Sequence, residues 1–572
     1  MTDAGGGLVP ATTAAVALVR GFVEHGVRDL VLSPGSRSQA LALAAADAAR
    51  AGALRLHVRL DERVAAFTAL GMARETGTPV AVLCTSGTAT AGLLPATMEA
   101  FHAGVPLLLL TADRPPELRG VGANQATVQP GMFDAWVRDA VDAPVPGEAG
   151  PDAFGMLAFR AVSAAVGVTG SGLPGVAGPV HLNLPVRDPL SGPAGDLPPL
   201  APGALPAVPR EPAAVLARGA RTVVVAGADA GAAAEELAHA AGWPLIAEIV
   251  SGARFGRRVV RDYRRLLREP SLGGRIERVV VFGHPTLSRE VSALLARADV
   301  EVIVVRRGGE LVALGPGGAR GVDAVTLVAE VDAAGMRQEQ ADRAWLGEWM
   351  RASVGAAVDL DAAAPDPDAL ASTDPETRRE AVRAELAAVR RPLDRTLLVD
   401  AVWRATWPHD RLVFGSSRLV RVADALLAGK RVPVHANRGL AGIDGTIATA
   451  TGIALASQAD GAPGVTRVLL GDLAFLHDVG ALLLPADEPA PRIQVVVGND
   501  GGGTIFDGLE VAGSAPATDL DRAFYTPQSV DLRPLAAAYG WEHRRVETRA
   551  ALDQSLTSPV SGPQIIEVPL PR

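Results

Sequence analysis

The sequence predicts an α/β protein of three domains, each built on a mostly parallel β-sheet flanked by helices. Three observations support this prediction. The chain has 572 residues, whereas one hydrophobic core usually serves about 100–200 residues. Short apolar segments alternate with alanine-rich stretches along the sequence, a pattern typical of parallel strands joined by helices. Two proline-containing segments, residues 185–212 and 359–375, interrupt this pattern.

The two interruptions define predicted domains at residues 1–190, 210–358 and 376–572. Residues 185–212 hold nine prolines, which is typical of an inter-domain segment. The second interruption is acidic, and a helix is expected after it, over Glu376–Arg391. The predicted strands are the apolar runs in DLVLSPGS, TPVAVLCTSG, VPLLLLTAD, GPVHLNLP, RTVVVAGAD, ERVVVFGHP, VEVIVVRR, RLVFGSS, VTRVLLGD and RIQVVVGND.

The composition excludes several functional classes. Apolar residues make up 48% of the chain and charged residues 20%, as in globular proteins. Because the net charge is −9 and there is no basic stretch, nucleic acid is not expected as a partner. The N-terminus lacks a signal-peptide pattern, and the apolar runs are shorter than the ~20 residues of a membrane helix. We therefore predict a cytoplasmic protein with no membrane partner.

The reactive side chains are few. Cys84 is the only cysteine and Lys430 the only lysine, against 53 arginines. A lone cysteine excludes a disulfide framework and a cysteine-rich zinc site. The sequence also contains no P-loop, HExxH or GxSxG motif. The strand–turn–helix pattern of RTVVVAGADAG lacks GxGxxG, which makes the middle domain a poor dinucleotide site.

Polar residues follow two of the predicted strands in the last domain. Asp472 lies in GDL, 27 residues before Asn499 in GNDGGG, and the FLHDVGALLL between them is predicted to be a helix. Ligands of such folds bind beyond the carboxyl ends of the strands. A carboxylate, an amide oxygen and a carbonyl of the glycine run suit Mg²⁺, and glycines allow the backbone to approach a diphosphate closely. Taken alone, Asp472 could also be a helix cap.

Eight segments, one of which extends the GDL motif, resemble the 2-succinyl-5-enolpyruvyl-6-hydroxy-3-cyclohexene-1-carboxylate synthase family of thiamine-diphosphate-dependent enzymes. They are SPGSRS, DERVAAF, TSGTA, TADRPPEL, GANQA, QPGMF, NRGLAGIDG and GDLAFLHD. The resemblance covers most of the first and last domains and implies that the three domains are pyrimidine-binding, central Rossmann-like and diphosphate-binding. Leu473, where most thiamine enzymes carry glycine, favours this family over acetolactate synthases. Thr504 departs from the family pattern as an extra residue before Ile505 and Phe506, which affects the loop register.

The resemblance implies that thiamine diphosphate binds with Mg²⁺, or alternatively Mn²⁺. Glu62 matches the glutamate that hydrogen-bonds the aminopyrimidine of the cofactor, although a glutamate here could also be a solvated acid at a helix N-terminus. The implied metal ligands are Asp472, Asn499 and Gly501. The implied cofactor-binding residues are Glu62, Ser86, Gly87, Thr88, Ile443, Gly471, Asp472, Leu473, Asn499 and Gly501.

The activity implied is decarboxylation of 2-oxoglutarate and 1,4-addition of the resulting succinyl carbanion to isochorismate, in menaquinone biosynthesis. Catalytic roles fall to Glu62, Ser36, Arg37 and Gln125. The implied substrate-binding residues are Ser36, Arg37, Arg114, Asn124, Gln125, Arg289, Ser417, Arg421, Arg438, Ile505 and Phe506. Arginine suits this task because its fork binds carboxylates and it is a poor proton donor.

The resemblance also implies a homodimer or a dimer of dimers, with active sites at the subunit interface. Two alternatives remain. The first is an acetolactate-synthase-like carboligase or 2-oxoacid decarboxylase, which would act on pyruvate. The second is a non-catalytic nucleotide-binding regulatory protein on the same sheets.

Overall fold

The computed structural model describes residues 9–169, 175–193, 199–305, 314–327, 333–354, 366–390 and 392–572. The strands in these ranges form three large sheets and one two-stranded sheet. Every pairing between these strands is parallel. The predicted fold class is therefore confirmed, whereas the exact domain boundaries stay a prediction. Residues 194–198 of the first interruption, residues 306–307 of one predicted strand, residues 359–365 of the second interruption and Arg391 lie outside the described residues.

The first sheet has six strands in the order β2-β1-β3-β4-β6-β5. Its strands are β1 (Asp29–Leu32), β2 (Arg55–Val58), β3 (Val80–Cys84), β4 (Leu107–Asp113), β5 (Asp139–Asp142) and β6 (Val180–Pro185). The helices between and around them are α1 (Pro10–Glu24), α2 (Gln39–Arg50), α3 (Glu62–Thr76), α4 (Thr88–Gly92), α5 (Leu94–Ala103) and α6 (Pro151–Val166). Short 3₁₀ turns cover Pro116–Leu118 and Asp134–Trp136.

The central sheet has five strands in the order β12-β11-β10-β8-β9, and β7 pairs with β13 beside it. The strands are β7 (Ala214–Leu216), β8 (Thr222–Ala226), β9 (Leu245–Ala247), β10 (Arg278–Phe282), β11 (Glu301–Val305), β12 (Arg320–Val322) and β13 (Val325–Leu327). The helices are α7 (Ala233–Ala241), α8 (Tyr263–Arg268), α9 (Arg289–Leu295) and α10 (Ala333–Val354), with a 3₁₀ turn at Gly273–Arg275.

The third sheet has six strands in the order β15-β14-β16-β17-β19-β18. The strands are β14 (Arg411–Phe414), β15 (Val434–His435), β16 (Thr466–Gly471), β17 (Ile493–Asn499), β18 (Glu542–Arg545) and β19 (Gln564–Pro569). The helices are α11 (Pro367–Leu370), α12 (Pro375–Val389), α13 (Arg395–Ala405), α14 (Arg418–Leu426), α15 (Thr446–Ser457), α16 (Asp472–His477), α17 (Val511–Ser514), α18 (Ala517–Leu520), α19 (Leu532–Ala538) and α20 (Arg549–Thr557). The 3₁₀ turns are Ala459–Gly461, Val479–Leu482 and Thr504–Gly508, and Asp521–Tyr525 forms a π turn.

The first and third sheets share a hydrophobic core that passes through α3 and α15. The two helices cross at close range because glycines face the partner backbone. A Cβ on Gly71 would lie 2.0 Å from the carbonyl oxygen of Thr449, and one on Gly452 would lie 2.0 Å from that of Thr68. Since real Cβ atoms do not approach so closely, a larger residue at either glycine would separate the helices. This crossing fixes the start of α3 relative to the third sheet.

In two segments, the packing or the helix length differs from what the sequence predicts. The segment after β6 is packed against the first domain, because Leu190, Leu200 and Leu205 contact its core. FLHDVGALLL was expected to be one helix, but α16 ends at His477 and a separate 3₁₀ turn begins at Val479. The carboxylate of the intervening Asp478 accepts hydrogen bonds from the backbone of α15, which interrupts the helix. No described helix has the length and apolar composition needed to cross a membrane.

Candidate active site

Asp472 and Asn499 emerge at one edge of the third sheet. Strands β16 and β17 are adjacent and parallel, and Gly471 pairs with Gly498 in their register. Asp472 is the first residue of α16 and Asn499 is the last residue of β17. The structure thus brings together the carboxylate and the amide that the sequence places at two strand ends.

The carboxylate of Asp472 is buried, and no cationic side chain of the described residues lies beside it. Its residue is 7% exposed, and burial, followed by repulsion from Asp500, raises the pKa of Asp472 to about 6. In the described part of the chain, no arginine, lysine or histidine lies within ion-pair distance of it. Asp500 differs, because Nη2 of Arg395 lies 2.8 Å from its Oδ2. A buried carboxylate without a counter-ion fits a divalent cation.

Asn499 and Gly501 offer two more oxygen atoms. Nδ2 of Asn499 donates to Oε1 of Glu567 at 3.0 Å, so the amide orientation is fixed. Its Oδ1 accepts a long hydrogen bond, 3.4 Å, from the backbone of Gly501. The Gly501 carbonyl accepts from Nη2 of Arg572 at 3.0 Å, and a carbonyl oxygen has a second lone pair for a metal. One carboxylate, one amide and one carbonyl are a hard-oxygen set suited to Mg²⁺.

This oxygen set explains why a search for clustered acids or histidines would miss the site. In the described ranges, no group of three or more His, Cys, Asp or Glu side chains could hold a metal. Diphosphate oxygens and water would complete the coordination that the three protein oxygens begin.

The glycine loop after β17 turns sharply before Thr504. Gly501 and Gly502 have φ angles of +73° and +134°, and a Cβ on Gly502 would lie 2.3 Å from the Tyr525 carbonyl oxygen. Oγ1 of Thr504 donates to Oδ2 of Asp500 at 2.5 Å. Thr504, the extra residue of this loop, therefore points into the protein and is 4% exposed.

Ile505 and Phe506, which follow Thr504, are half-buried in a 3₁₀ turn. The Phe506 ring packs edge-on against Phe524, with ring centroids 5.2 Å apart. Part of the Phe506 surface therefore serves packing within this loop.

Glu62, the residue predicted to contact the aminopyrimidine of the cofactor, lies in the first domain. It is the first residue of α3, but the cap of that helix is Asp61, whose Oδ1 accepts from the backbone of Arg63 at 2.8 Å. The Glu62 side chain is half-buried against Gly92, where an added Cβ would lie 3.0 Å from the Cβ of Glu62. No other described residue forms a hydrogen bond or an ion pair with its carboxylate. Because Asp61 supplies the cap, Glu62 is available for another role.

The TSGTA and GANQA motifs meet in space. Oγ of Ser86 donates to the Gln125 carbonyl at 2.7 Å, and Nε2 of Gln125 donates to the Ser86 carbonyl at 2.9 Å. Gly87, with φ +81°, and Thr88 lead from this contact into α4. Asn124 beside it is exposed, and its carbonyl accepts from Nε of Arg114 at 3.0 Å.

The SPGSRS loop packs onto TSGTA at Gly35, where an added Cβ would lie 2.3 Å from the Cβ of Thr85. Ser36 is exposed, whereas Arg37 is 7% exposed. Nη1 of Arg37 donates to the Val186 carbonyl at 3.3 Å and lies 3.8 Å from Asp188. The guanidinium of Arg37 is therefore directed to the end of β6 in its own domain.

In the third domain, Arg421 is half-buried and Arg438 is buried. Burial lowers the pKa of Arg421 and that of Arg438, and Arg421 contributes to the shift of Arg438. Nη1 of Arg421 donates to the Ser417 carbonyl at 2.6 Å. Among the described residues, no acid lies within ion-pair distance of either guanidinium. Since both groups keep their charge, each is a candidate for binding an anion.

Arg289 and Ile443 are more exposed than their predicted roles require. The Arg289 side chain is 81% exposed and lies 3.6 Å from Glu510 of the third domain. Ile443 is 36% exposed. Its loop is fixed at Gly445, with φ +64°, where an added Cβ would lie 2.1 Å from the Phe67 ring. The structure thus places Ile443 near the start of α15 and Arg289 on the exposed surface beside Glu510.

Sequence reasoning missed the residues that hold these groups in place. Thr286 and Glu99 contact Arg438 and the backbone that follows it, and Arg395 pairs with Asp500. Glu248 is an acid directly after the apolar β9. Such a charged residue at the end of an apolar strand is the only sequence signal that could have pointed to Glu248, and the other residues carry no signal of this kind.

Comparisons with known proteins agree with this arrangement. The family model described as "Thiamine pyrophosphate enzyme, N-terminal TPP binding domain" matches residues 12–135. A protein of Leifsonia xyli subsp. xyli named 2-succinyl-5-enolpyruvyl-6-hydroxy-3-cyclohexene-1-carboxylate synthase is 56% identical, over 98% of this chain and 97% of its own. A protein of the same name from Clavibacter michiganensis subsp. michiganensis is 51% identical over the same shares.

Among solved structures, benzoylformate decarboxylase from Polynucleobacter necessarius superposes with a TM-score of 0.64 over 99% of both chains. The two sequences are 14% identical. At this level of identity, the likeness establishes the shared three-sheet fold and nothing about the substrate.

Proposed function

The chain belongs to the 2-succinyl-5-enolpyruvyl-6-hydroxy-3-cyclohexene-1-carboxylate synthase family of thiamine-diphosphate-dependent enzymes, and from this premise we propose its substrates and the roles of its residues. The substrates are 2-oxoglutarate and isochorismate, and the reaction forms a carbon–carbon bond with loss of CO₂, in menaquinone biosynthesis. The observation that carries the choice of substrates is that neither Arg421 nor Arg438 has a carboxylate within ion-pair distance among the described residues, where Nη1 of Arg438 is also buried without a hydrogen-bond partner. Substrates with two carboxylates supply the missing negative charge.

The diphosphate end of the cofactor binds at the third sheet. Asp472, Asn499 and the Gly501 carbonyl hold Mg²⁺, with Mn²⁺ as the alternative, and Gly471 and Leu473 line the diphosphate. When bound, thiamine diphosphate supplies an electron sink for the carbon that loses CO₂. Support comes from the buried Asp472 carboxylate, whose negative charge a divalent cation neutralises.

The pyrimidine end of the cofactor lies against Glu62. The Glu62 carboxyl group holds a proton at a ring nitrogen and so favours the tautomer whose exocyclic nitrogen acts as a base. Ser86, Gly87 and Thr88 would bind the same end of the cofactor, and Ile443 would pack against it. Asp61 supports this role of Glu62 because it takes over the capping of α3.

Arginine is suited to the substrate side of the site. Its fork holds a carboxylate through two parallel hydrogen bonds, each contributing about 1.5–3 kcal/mol when well formed. It also stays protonated, so it does not quench negative charge that develops on carbon. Arg421, Arg438 and Ser417 bind carboxylates, while Ser36, Arg37, Arg114, Asn124 and Gln125 contribute to the isochorismate side. Ile505, Phe506 and Arg289 border this space.

The active unit is a homodimer or a dimer of dimers with sites at the subunit interface. Exposed apolar residues next to the site support this assembly. Leu60, two positions before Glu62, is 74% exposed, and Leu440, three before Ile443, is 48% exposed. A second subunit would cover this apolar surface and complete the site. The predicted cytoplasmic location stays a prediction.

A direct assay tests the proposed function. The purified protein is incubated with Mg²⁺, thiamine diphosphate, 2-oxoglutarate and isochorismate. CO₂ release and isochorismate loss are expected together, and both should stop when the cofactor is left out. Turnover of pyruvate in place of 2-oxoglutarate would instead support a carboligase of the acetolactate-synthase type.

A further inference from the structure

The buried side chain of Arg438 is held by a residue of the central domain. Nε and Nη2 donate to Oγ1 of Thr286 at 3.0 and 2.8 Å, and Nη2 also donates to the Thr286 carbonyl at 2.9 Å. Nη1 is buried and has no hydrogen-bond partner in the part of the chain described. Thr286 therefore fixes two of the three guanidinium nitrogens, and the third is left for a ligand.

The backbone around Arg438 is fixed from a different direction. The carboxylate of Glu99, on α5 of the first domain, accepts from the backbone of Gly439 at 2.8 Å and from that of Leu440 at 2.7 Å. Glu99 also pairs with Arg74 at 3.3 Å. The first domain thus holds the backbone next to Arg438 in place, whereas the central domain orients the Arg438 side chain.

Thr286 itself is rigidly held. Oε2 of Glu248 accepts from the backbone of Thr286 at 3.1 Å, and Oε1 accepts from that of Leu287 at 2.7 Å. Glu248 directly follows β9 and is fully buried. Two strand ends of the central sheet therefore converge on one threonine. A side chain held this firmly can impose a direction on its partner.

The free nitrogen is the feature that points to a ligand. A buried N–H without an acceptor is costly, and no described acid lies within ion-pair distance of this guanidinium. A carboxylate that accepts from Nη1 would satisfy this hydrogen bond. The direction of Nη1 is set by Thr286, because a planar guanidinium with two fixed nitrogens has no freedom left for the third.

We propose that Thr286 is a positioning residue that orients Arg438 toward a substrate carboxylate. This inference rests on the proposed function, in which Arg438 binds such a carboxylate. It gives the central domain, whose glycine turn lacks a dinucleotide motif, a part in substrate recognition.

The first test compares T286V, which removes the hydroxyl, with T286S, which keeps it. In T286V, the KM for 2-oxoglutarate or isochorismate should rise about tenfold, the effect of losing one hydrogen bond to a charged group. The kcat should change little, whereas the unfolding midpoint should fall slightly because Nε of Arg438 loses its acceptor. T286S should restore the KM and the midpoint. T286A removes the same hydroxyl and replaces T286V if that variant folds poorly. The control is T557V, whose hydroxyl donates to the Asp553 carbonyl on the distant α20.

A double-mutant cycle with R438A shows whether Thr286 acts through Arg438. If it does, T286V should raise the KM much less in the R438A background than in the wild type. An equal rise in both backgrounds would overturn the inference, and so would a normal KM in T286V when R438A is impaired. If R438A itself binds both substrates normally, the proposed role of Arg438 fails as well, so the two failures are distinguishable.

Discussion

At the scale of single residues, Asp472 and Asp500 show how neighbouring carboxylates acquire different tasks. The charge of Asp500 is neutralised by Arg395, and its carboxylate accepts a hydrogen bond from the Thr504 hydroxyl. Asp472 has neither an arginine partner nor a hydroxyl donor in the described part of the chain, so no side chain there compensates its charge. The difference is set by one arginine at the start of α13. The acid without a partner is the one suited to a metal.

We expect D472N to weaken the binding of Mg²⁺ and thiamine diphosphate by at least about tenfold, since a charged ligand contributes roughly 1.5–3 kcal/mol. Titration calorimetry with both ligands measures this change. D487N, which alters an exposed aspartate in the loop before β17, is the matched control. Unchanged affinity in D472N would show that the cation binds elsewhere.

Glu62 is predicted to act in turnover and to contribute little to cofactor affinity. E62Q keeps the shape and the hydrogen-bonding capacity of the side chain but cannot ionise. We expect thiamine diphosphate to bind within a few-fold of the wild-type affinity, while kcat falls by at least about 100-fold, as for a lost acid–base group. E380Q, on the exposed face of α12, serves as control. Near-normal turnover in E62Q would contradict the mechanism.

At the scale of elements, α15 begins without a side-chain cap of its own. Its N-cap residue is Gly445, and the cap comes from Asp478, whose Oδ2 accepts from the backbone of Ile447 at 2.8 Å and of Ala448 at 3.0 Å. Burial is the main reason why the pKa of Asp478 is raised to about 6. The periodicity of FLHDVGALLL could not predict the break at Asp478, because its cause lies 31 residues away at Ile447.

The raised pKa of Asp478 predicts a pH dependence of stability. The folded-state pKa of about 6 lies above the ordinary value of 3.8, so the folded protein binds a proton that the unfolded chain has released. The stabilisation is complete below pH 3.8 and is lost as the pH rises through 6. D478N does not titrate, so the unfolding free energy of the wild type relative to D478N should fall by up to about 3 kcal/mol from pH 4 to 7. Urea unfolding at several pH values measures it, and a pH-independent difference would contradict the assignment.

At the scale of the whole molecule, the sequence is sufficient for the sheets but not for the contacts between them. Strands such as β3 and β4 are buried throughout, and their apolar runs predict them. Strand β5 is missed because its residues are exposed or only partly buried and both of its ends are acidic. The strand-end motifs identify Asp472 and Asn499. The contact between Arg438 and Thr286 joins residues 152 positions apart, and no local pattern encodes it.

Mixed dimers test whether Glu62 and Asp472 of one active site come from different subunits. If Glu62 of one subunit serves a cofactor held by Asp472 of another, E62Q and D472N damage different halves of each site. In a mixed dimer, one site then carries both substitutions and the other carries neither. With equal co-expression and random pairing of a two-fold symmetric dimer, about a quarter of wild-type activity should return. Mixing two E62Q preparations with different tags gives the background. If the mixed sample of E62Q and D472N is as inactive as this background, each site lies within one chain and the interface proposal is wrong.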